Sequence, residues 1–176
     1  MQTTGIVRRI DDLGRVVVPK EIRRRLNLRE GDPMELFTDG NRLILEKYFP
    51  MGQYVGQAIE YVRAFQSVAQ RYIFVTDTDK VIASVLRDFS DAPLSAELAD
   101  AIRRKTDAEN IPFQPGEDCA EAEYAAIIRD GNRDSIGEGI GAVVLVSNGS
   151  PTDDALKTQI KIATDFLGRL ANKGGW

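Results

Sequence analysis

The side chains best suited to chemistry in this sequence are crowded into one end of it. In GIVRRIDDLGRVVVPKEIRRRL, Gly5 to Leu26, arginines stand at 8, 9, 15, 23, 24 and 25, with Lys20 among them. Residues 1–29 hold eight Arg and Lys against three Asp and Glu, a surplus of five. The whole chain is −4, so residues 30–176 carry −9. Guanidinium groups are planar and permanently charged, and their fork matches phosphate oxygens. A basic segment on an acidic chain points to a polyanionic partner. The same arginines could merely solvate a small domain, and charge alone does not separate the two readings.

The remaining inventory argues against catalysis. There is no histidine and one cysteine, Cys119. That removes ordinary zinc sites and Ser-His-Asp or Cys-His chemistry. No isolated pair of acids stands in a context that would raise a pKa, so no catalytic residue and no metal ligand are expected. GEGIG, Gly137 to Gly141, has the spacing of part of a phosphate loop. It precedes a strand instead of following one into a helix, and is set aside. DTDK, Asp77 to Lys80, reads as a hairpin turn, Asp88, Glu117 and Asp118 as solvated acids, and Cys119 as a small packing residue. A lone cysteine forms no internal disulfide, which fits a reducing cytoplasm. No apolar run approaches the roughly 20 residues of a membrane span, and arginines interrupt every run that could open a signal peptide. A cytoplasmic protein without membrane contact is expected.

The elements that position the arginines follow from local pattern. Gly5–Ile10 and the β-branched RVVVP, Arg15–Pro19, read as strands around the turn signal DDLG. Pro19 suits the first turn of a helix, and KEIRRRLNL continues it with Ile22 and Leu26 on one face. Arg23 and Arg24 then point away from that face, and Asn27 can close the helix. REGDP is a further turn, and MELFT-DGN-RLILEKY a hairpin about Asp39-Gly40. The unit reads β-β-α-β-β. It is too small to bury much core alone, so an interlaced dimer is expected.

Phe49-Pro50-Met51-Gly52 marks a boundary. Val55, Ala58, Val62, Phe65 and Ala69 follow a helical spacing, suited either to a coiled-coil seam or to packing on their own domain. RYIFVTDTDKVIASV is strand, turn, strand. Ser95 is placed to cap a helix running to about Lys105. Pro112, Pro115 and Gly116 break the middle into loop. AEYAAIIRDG and GIGAVVLVSNG are two more strands. Thr152–Asn172 is a helix with the stripe Leu156, Ile160, Ala163, Leu167 and Leu170, capped by Ser150 or Thr152. The second domain is therefore α-β-β-α-β-β-α.

TGIVRRIDDLGRVVVPKEIRRRLNLREGDPMELF, Thr4 to Phe37, closely resembles the N-terminal domain of the AbrB-type transition-state regulators of spore-forming bacteria. The resemblance implies a swapped-hairpin dimer that binds DNA. Position by position, it puts DNA-contacting arginines at Arg8, Arg15, Arg23 and Arg24, with Arg9 where the family also carries a basic residue. The full length and the second domain are similar to family members in which a GAF-like domain follows. That implies a tetramer in which GAF-like domains join two DNA-binding dimers, and a regulator, activating or repressing, of sporulation genes. The expected fold is α+β, with a swapped-hairpin domain at 1–50, a linker helix at 51–70 and a GAF-like antiparallel sheet with helices at 71–176. No cofactor is called for, although GAF domains often hold a small molecule over the sheet. The rival reading is an antitoxin that shares the swapped-hairpin domain and wraps its tail around a toxin.

Overall fold

A computed structural model describes residues 5–26, 28–32, 34–113, 120–129, 139–150 and 152–173. The chain divides into two compact units, Met1–Tyr48 and Phe49–Trp176.

The first unit contains one short helix, α1 (Lys20–Arg25), and one hairpin, β1 (Met34–Asp39) with β2 (Arg42–Lys47). The hairpin is in register from Met34 opposite Lys47 to Asp39 opposite Arg42. This leaves a two-residue turn whose first position, Gly40, has φ +56°, a conformation that favours glycine. The expected strands over 5–10 and 15–19 join no β-ladder of the same chain among the described residues. Their β-branched residues favour extended backbone, but a two-stranded ribbon with nothing covering its apolar face is marginal in water. No described residue of this unit covers it: Val7, Val17, Ile10 and Leu13 are 69–83% exposed. No described residue of this unit is fully buried.

The second unit is built on a five-stranded antiparallel sheet. Its elements are α2 (Val55–Ala69), β3 (Ile73–Thr76), β4 (Val81–Ser84), α3 (Ala96–Arg104), β5 (Ala108–Phe113), β6 (Ala120–Arg129), β7 (Gly139–Val146) and α4 (Asp154–Lys173). The strand order is β4-β3-β7-β6-β5, and every neighbouring pair is antiparallel. The central strand β7 is covered on both faces, so its near-continuous apolar run GIGAVVLV divides by alternation. Val143 and Leu145 join Ala58, Val62 and Phe65 of α2 and Ile160, Ala163 and Leu167 of α4. Ala142, Val144 and Val146 join Leu98 and Ile102 of α3 on the other face. There Phe74, Phe89 and Phe113 pack ring on ring, with centroids 4.8–5.6 Å apart. The stripe of α2 thus lies on its own sheet and not along a coiled-coil seam.

Two expectations are corrected. Residues 108–113 form a strand where a loop was expected, giving α-β-β-α-β-β-β-α. Pro112 fits because β5 is an edge strand, where a missing backbone N–H breaks no second ladder. Pro115, Gly116, Glu117, Asp118 and Cys119 lie outside the described residues, as does NRDSIGE between the last two expected strands. The cap of α4 is Asp153, whose Oδ1 accepts the Leu156 N–H at 2.8 Å. Thr152 is used elsewhere: its hydroxyl donates to Glu123, which pairs at 2.6 Å with the nearly buried Arg71. An ion pair withdrawn from water needs such added hydrogen bonds. Ser95 caps α3 as expected, accepting the Leu98 N–H at 3.2 Å, and Asp77 closes the DTDK turn by accepting the Asp79 and Lys80 N–H groups.

Helix α4 crosses β6 closely enough that a Cβ added at Gly168 would stand 2.3 Å from the Arg129 carbonyl oxygen. Gly168→Ala should therefore overpack this crossing and destabilise the chain by about 1–3 kcal/mol. In urea, the unfolding midpoint of the second unit should fall with an unchanged slope.

Candidate nucleic-acid interface

The five arginines singled out in the sequence, Arg8, Arg9, Arg15, Arg23 and Arg24, are all in the first unit and all exposed. Two local structures position them.

The first is the turn at 11–15. The Asp11 N–H donates to the Arg15 carbonyl at 3.0 Å and the Gly14 N–H to the Asp11 carbonyl at 3.0 Å. Gly14 has φ +77°, which accounts for glycine at this position. The Asp11 carboxylate ties the turn from the side. Its Oδ1 accepts the N–H of Leu13 at 3.0 Å and of Arg15 at 2.8 Å, and its Oδ2 accepts Arg15 Nε at 2.9 Å. Arg8 and Arg9 lead into this turn, and Arg8 Nη1 donates to the Val7 carbonyl at 3.1 Å.

The second is α1. Pro19, at φ −59°, precedes it, and the Arg23 N–H donates to the Pro19 carbonyl at 3.0 Å. Arg23, Arg24 and Arg25 occupy the last turn, where positive charge complements the helix dipole. Ile22 is half-buried while Arg23 and Arg24 face solvent. The chain leaves the helix through Leu26 N–H to Ile22 O at 3.0 Å and Leu28 N–H to Arg23 O at 2.7 Å. Asn27, expected to close it, lies outside the described residues. Asp32 then accepts the Arg29 N–H at 2.9 Å and pairs with Lys47 of β2 at 3.2 Å, anchoring the turn to the hairpin.

The turn and the helix are thus different in kind. Arg15 is held by a carboxylate, whereas no ion pair engages Arg23 or Arg24 among the described residues. The partner of Arg15 was not anticipated, although Asp11 standing three residues before Gly14 is a recognisable side-chain-to-backbone turn signal. The exposed guanidinium groups suit this surface to phosphate oxygens and base edges. Among the described residues no group of three or more Cys, Asp or Glu is arranged to hold a metal, and no helix is long and apolar enough to cross a membrane.

Residues 55–171 match the family described as stage V sporulation protein T C-terminal, transcription factor. Residues 7–49 match that described as antidote-toxin recognition MazE, bacterial antitoxin. The chain is 36% identical over 180 residues to stage V sporulation protein T of Bacillus subtilis (strain 168), covering 96% of this chain and 98% of that protein. It is 52% identical over 50 residues to the transition state regulatory protein AbrB of the same organism, covering 28% of this chain and 52% of that protein. The solution structure of the N-domain of the transcription factor AbrB is matched at 52% identity, over 27% of this chain and 92% of that one, with a TM-score of 0.26.

The Arg15 backbone N–H is the largest influence on the Asp11 carboxyl, followed among the stabilising ones by the Arg15 side chain and the Leu13 N–H, and together they hold it below the ordinary carboxylate range. A folded-state pKa below the unfolded one means that the turn is supported above the ordinary value and loses that support as pH falls through the depressed one. A carbon-detected NMR titration should place the Asp11 midpoint below about 3.9, with the Asp11–Arg15 pair intact throughout the neutral range.

Proposed function

The chain belongs to the stage V sporulation protein T family of transcription factors, and from that premise we propose how it works. It is a transcription regulator of sporulation genes, acting through an AbrB-type DNA-binding domain. The observation that carries the mode of action is the set of exposed arginines, Arg8, Arg9, Arg15, Arg23 and Arg24, on the segment that is half identical to AbrB. These are the proposed contacts to duplex DNA. Phosphate contacts supply most of the affinity and its salt dependence. The basic stretch has no Asn or Gln to read adenine, so base reading falls to arginine on guanine, helped by DNA shape. Work on DNA implies a cytoplasmic protein.

The proposed DNA-binding form is an interlaced dimer of the first unit. The support is its uncovered apolar surface, which in one chain includes Val7, Ile10, Leu13, Val16, Val17 and Leu36, each at least half exposed. A second copy is the simplest cover, and two-fold pairing would set ten arginines against a two-fold duplex. The second unit, read as GAF-like from its antiparallel strand order with helices on both faces, serves assembly. The phenylalanine packing under α3 favours that role over ligand sensing. On the opposite side, the outer faces of α2 and α4 bound an apolar groove of about 550 Å³, lined by Gly56, Gln57, Glu60, Tyr61 and Phe166. Phe166 is 45% exposed there, and Ile162, one turn earlier on α4, is 61% exposed. We place the contact that joins two dimers on this face.

The antitoxin reading takes support from the match at 7–49. A toxin-wrapping tail, however, is unstructured until bound, whereas residues 51–171 enclose two packed cores of their own.

Salt titrations of DNA affinity with the full chain test the contacts. Arg23→Ala and Arg24→Ala should each weaken binding and reduce the slope of log K against log salt by about one. An unchanged slope removes that residue from the surface. Sedimentation tests the assembly: Phe166→Glu should convert a tetramer into a dimer that still binds DNA, and a persistent tetramer would move the contact elsewhere.

A further inference from the structure

We propose that Asp11 is a positioning residue for Arg15 that raises discrimination between DNA sequences while lowering indiscriminate affinity. The proposal rests on the DNA-binding reading above and adds a role for a residue of like charge to the DNA.

One carboxylate holds both the main chain and the side chain of Arg15, beside the backbone bond from the Asp11 N–H to the Arg15 carbonyl. Oδ1 holds the main chain, through the N–H groups of Leu13 at 3.0 Å and Arg15 at 2.8 Å, and Oδ2 holds the side chain through Nε at 2.9 Å. Gly14, in its left-handed conformation, allows the chain to close around that carboxylate. A guanidinium carries five N–H donors, one on Nε and four on the terminal nitrogens. Asp11 takes the Nε donor and none of the terminal ones. The Arg15 side chain is nonetheless 69% exposed, so its terminal fork meets solvent from an anchored base.

Two consequences follow. A fork whose backbone and Nε are already tied loses less freedom when it docks on a guanine edge, where two parallel donors are required. The carboxylate also offsets the charge of Arg15 and repels nearby phosphates, so Arg15 gains little from a random backbone. Arg23 and Arg24, which carry no such partner among the described residues, collect phosphates indiscriminately. The helix supplies affinity and the turn supplies choice.

Asp12 provides the control. It is an adjacent, exposed carboxylate that makes no ion pair among the described residues. Asp11→Asn keeps a side-chain oxygen for the two backbone N–H groups and so preserves the turn while removing the charge that holds Nε. The experiment measures affinities of the full chain for a duplex selected from a random pool by the unaltered protein, and for a shuffled duplex of equal composition. For Asp11→Asn, binding to the shuffled duplex should tighten about threefold, and the ratio of selected to shuffled affinity should fall roughly tenfold, the scale of one bidentate contact. Asp12→Asn should tighten both duplexes alike and leave the ratio unchanged. In an Arg15→Ala background, Asp11→Asn should no longer move the ratio.

Equal behaviour of Asp11→Asn and Asp12→Asn would reduce Asp11 to one more negative charge and overturn the proposal. So would a loss of discrimination that persists without Arg15. Salt-independent or absent binding by the unaltered chain is a different failure: it removes the DNA-binding reading itself, and the role of Asp11 with it.

Discussion

The first unit of this protein contains more apolar surface than one chain can cover, and much of its organisation follows from that constraint. Val7, Ile10, Leu13, Val16 and Val17 flank or occupy the same stretch as Arg8, Arg9 and Arg15. Alternation along extended backbone would put Arg8 with Ile6 and Ile10, and Arg9 with Val7, so each face of this stretch carries charge and apolar surface together. Among the described residues Val7, Ile10, Leu13 and Val17 remain 69–83% exposed. The hairpin β1–β2 adds exposed Leu36, Leu43 and Leu45. Burial at about 25 cal/mol per Å² is the main favourable term available to so short a segment, and a second copy is how such a segment can obtain it.

The second unit meets the same requirement by itself. Its sheet is covered twice, by α2 and α4 on one side and by α3 with the packed rings of Phe74, Phe89 and Phe113 on the other. The closest crossings are made by glycine: Cβ atoms at Gly139, Gly141 and Gly168 would each fall within 2.3 Å of a backbone oxygen. The most deeply placed ion pair among the described residues, Arg71 with Glu123, draws the Thr152 hydroxyl into its network and leaves Asp153 to cap α4. A buried charge outranks a helix end in the competition for a hydroxyl, because unsatisfied charge away from water costs more than an unsatisfied N–H.

Charge is distributed to match this division. The unit that lacks a closed core is +2, with its positive charge concentrated before residue 30, and the unit that has one is −6. Within the basic surface the arginines are not equivalent. Those of α1 sit where the helix dipole favours them, and Arg15 sits where a carboxylate restrains it.

By itself the sequence determined what depends on near neighbours. The stripe Ile160, Ala163 and Leu167, the Ser95 cap, the Asp39-Gly40 hairpin and the start of α1 after Pro19 are all set by residues three or four apart. The candidate arginines were legible for the same reason, since a charge on a surface needs no distant partner to be recognised. Tertiary structure alone decided the strand order, the placement of α2 on its own sheet, the edge strand through Pro112 and the diversion of Thr152 to Glu123. Each of these depends on residues far apart in the chain, and neither a 2.0 nor a 3.6 residue period carries information about which distant segment will lie alongside. Asp11 falls between the two. Its pattern is local, but only the folded turn revealed that one carboxylate holds both the backbone and the guanidinium of Arg15.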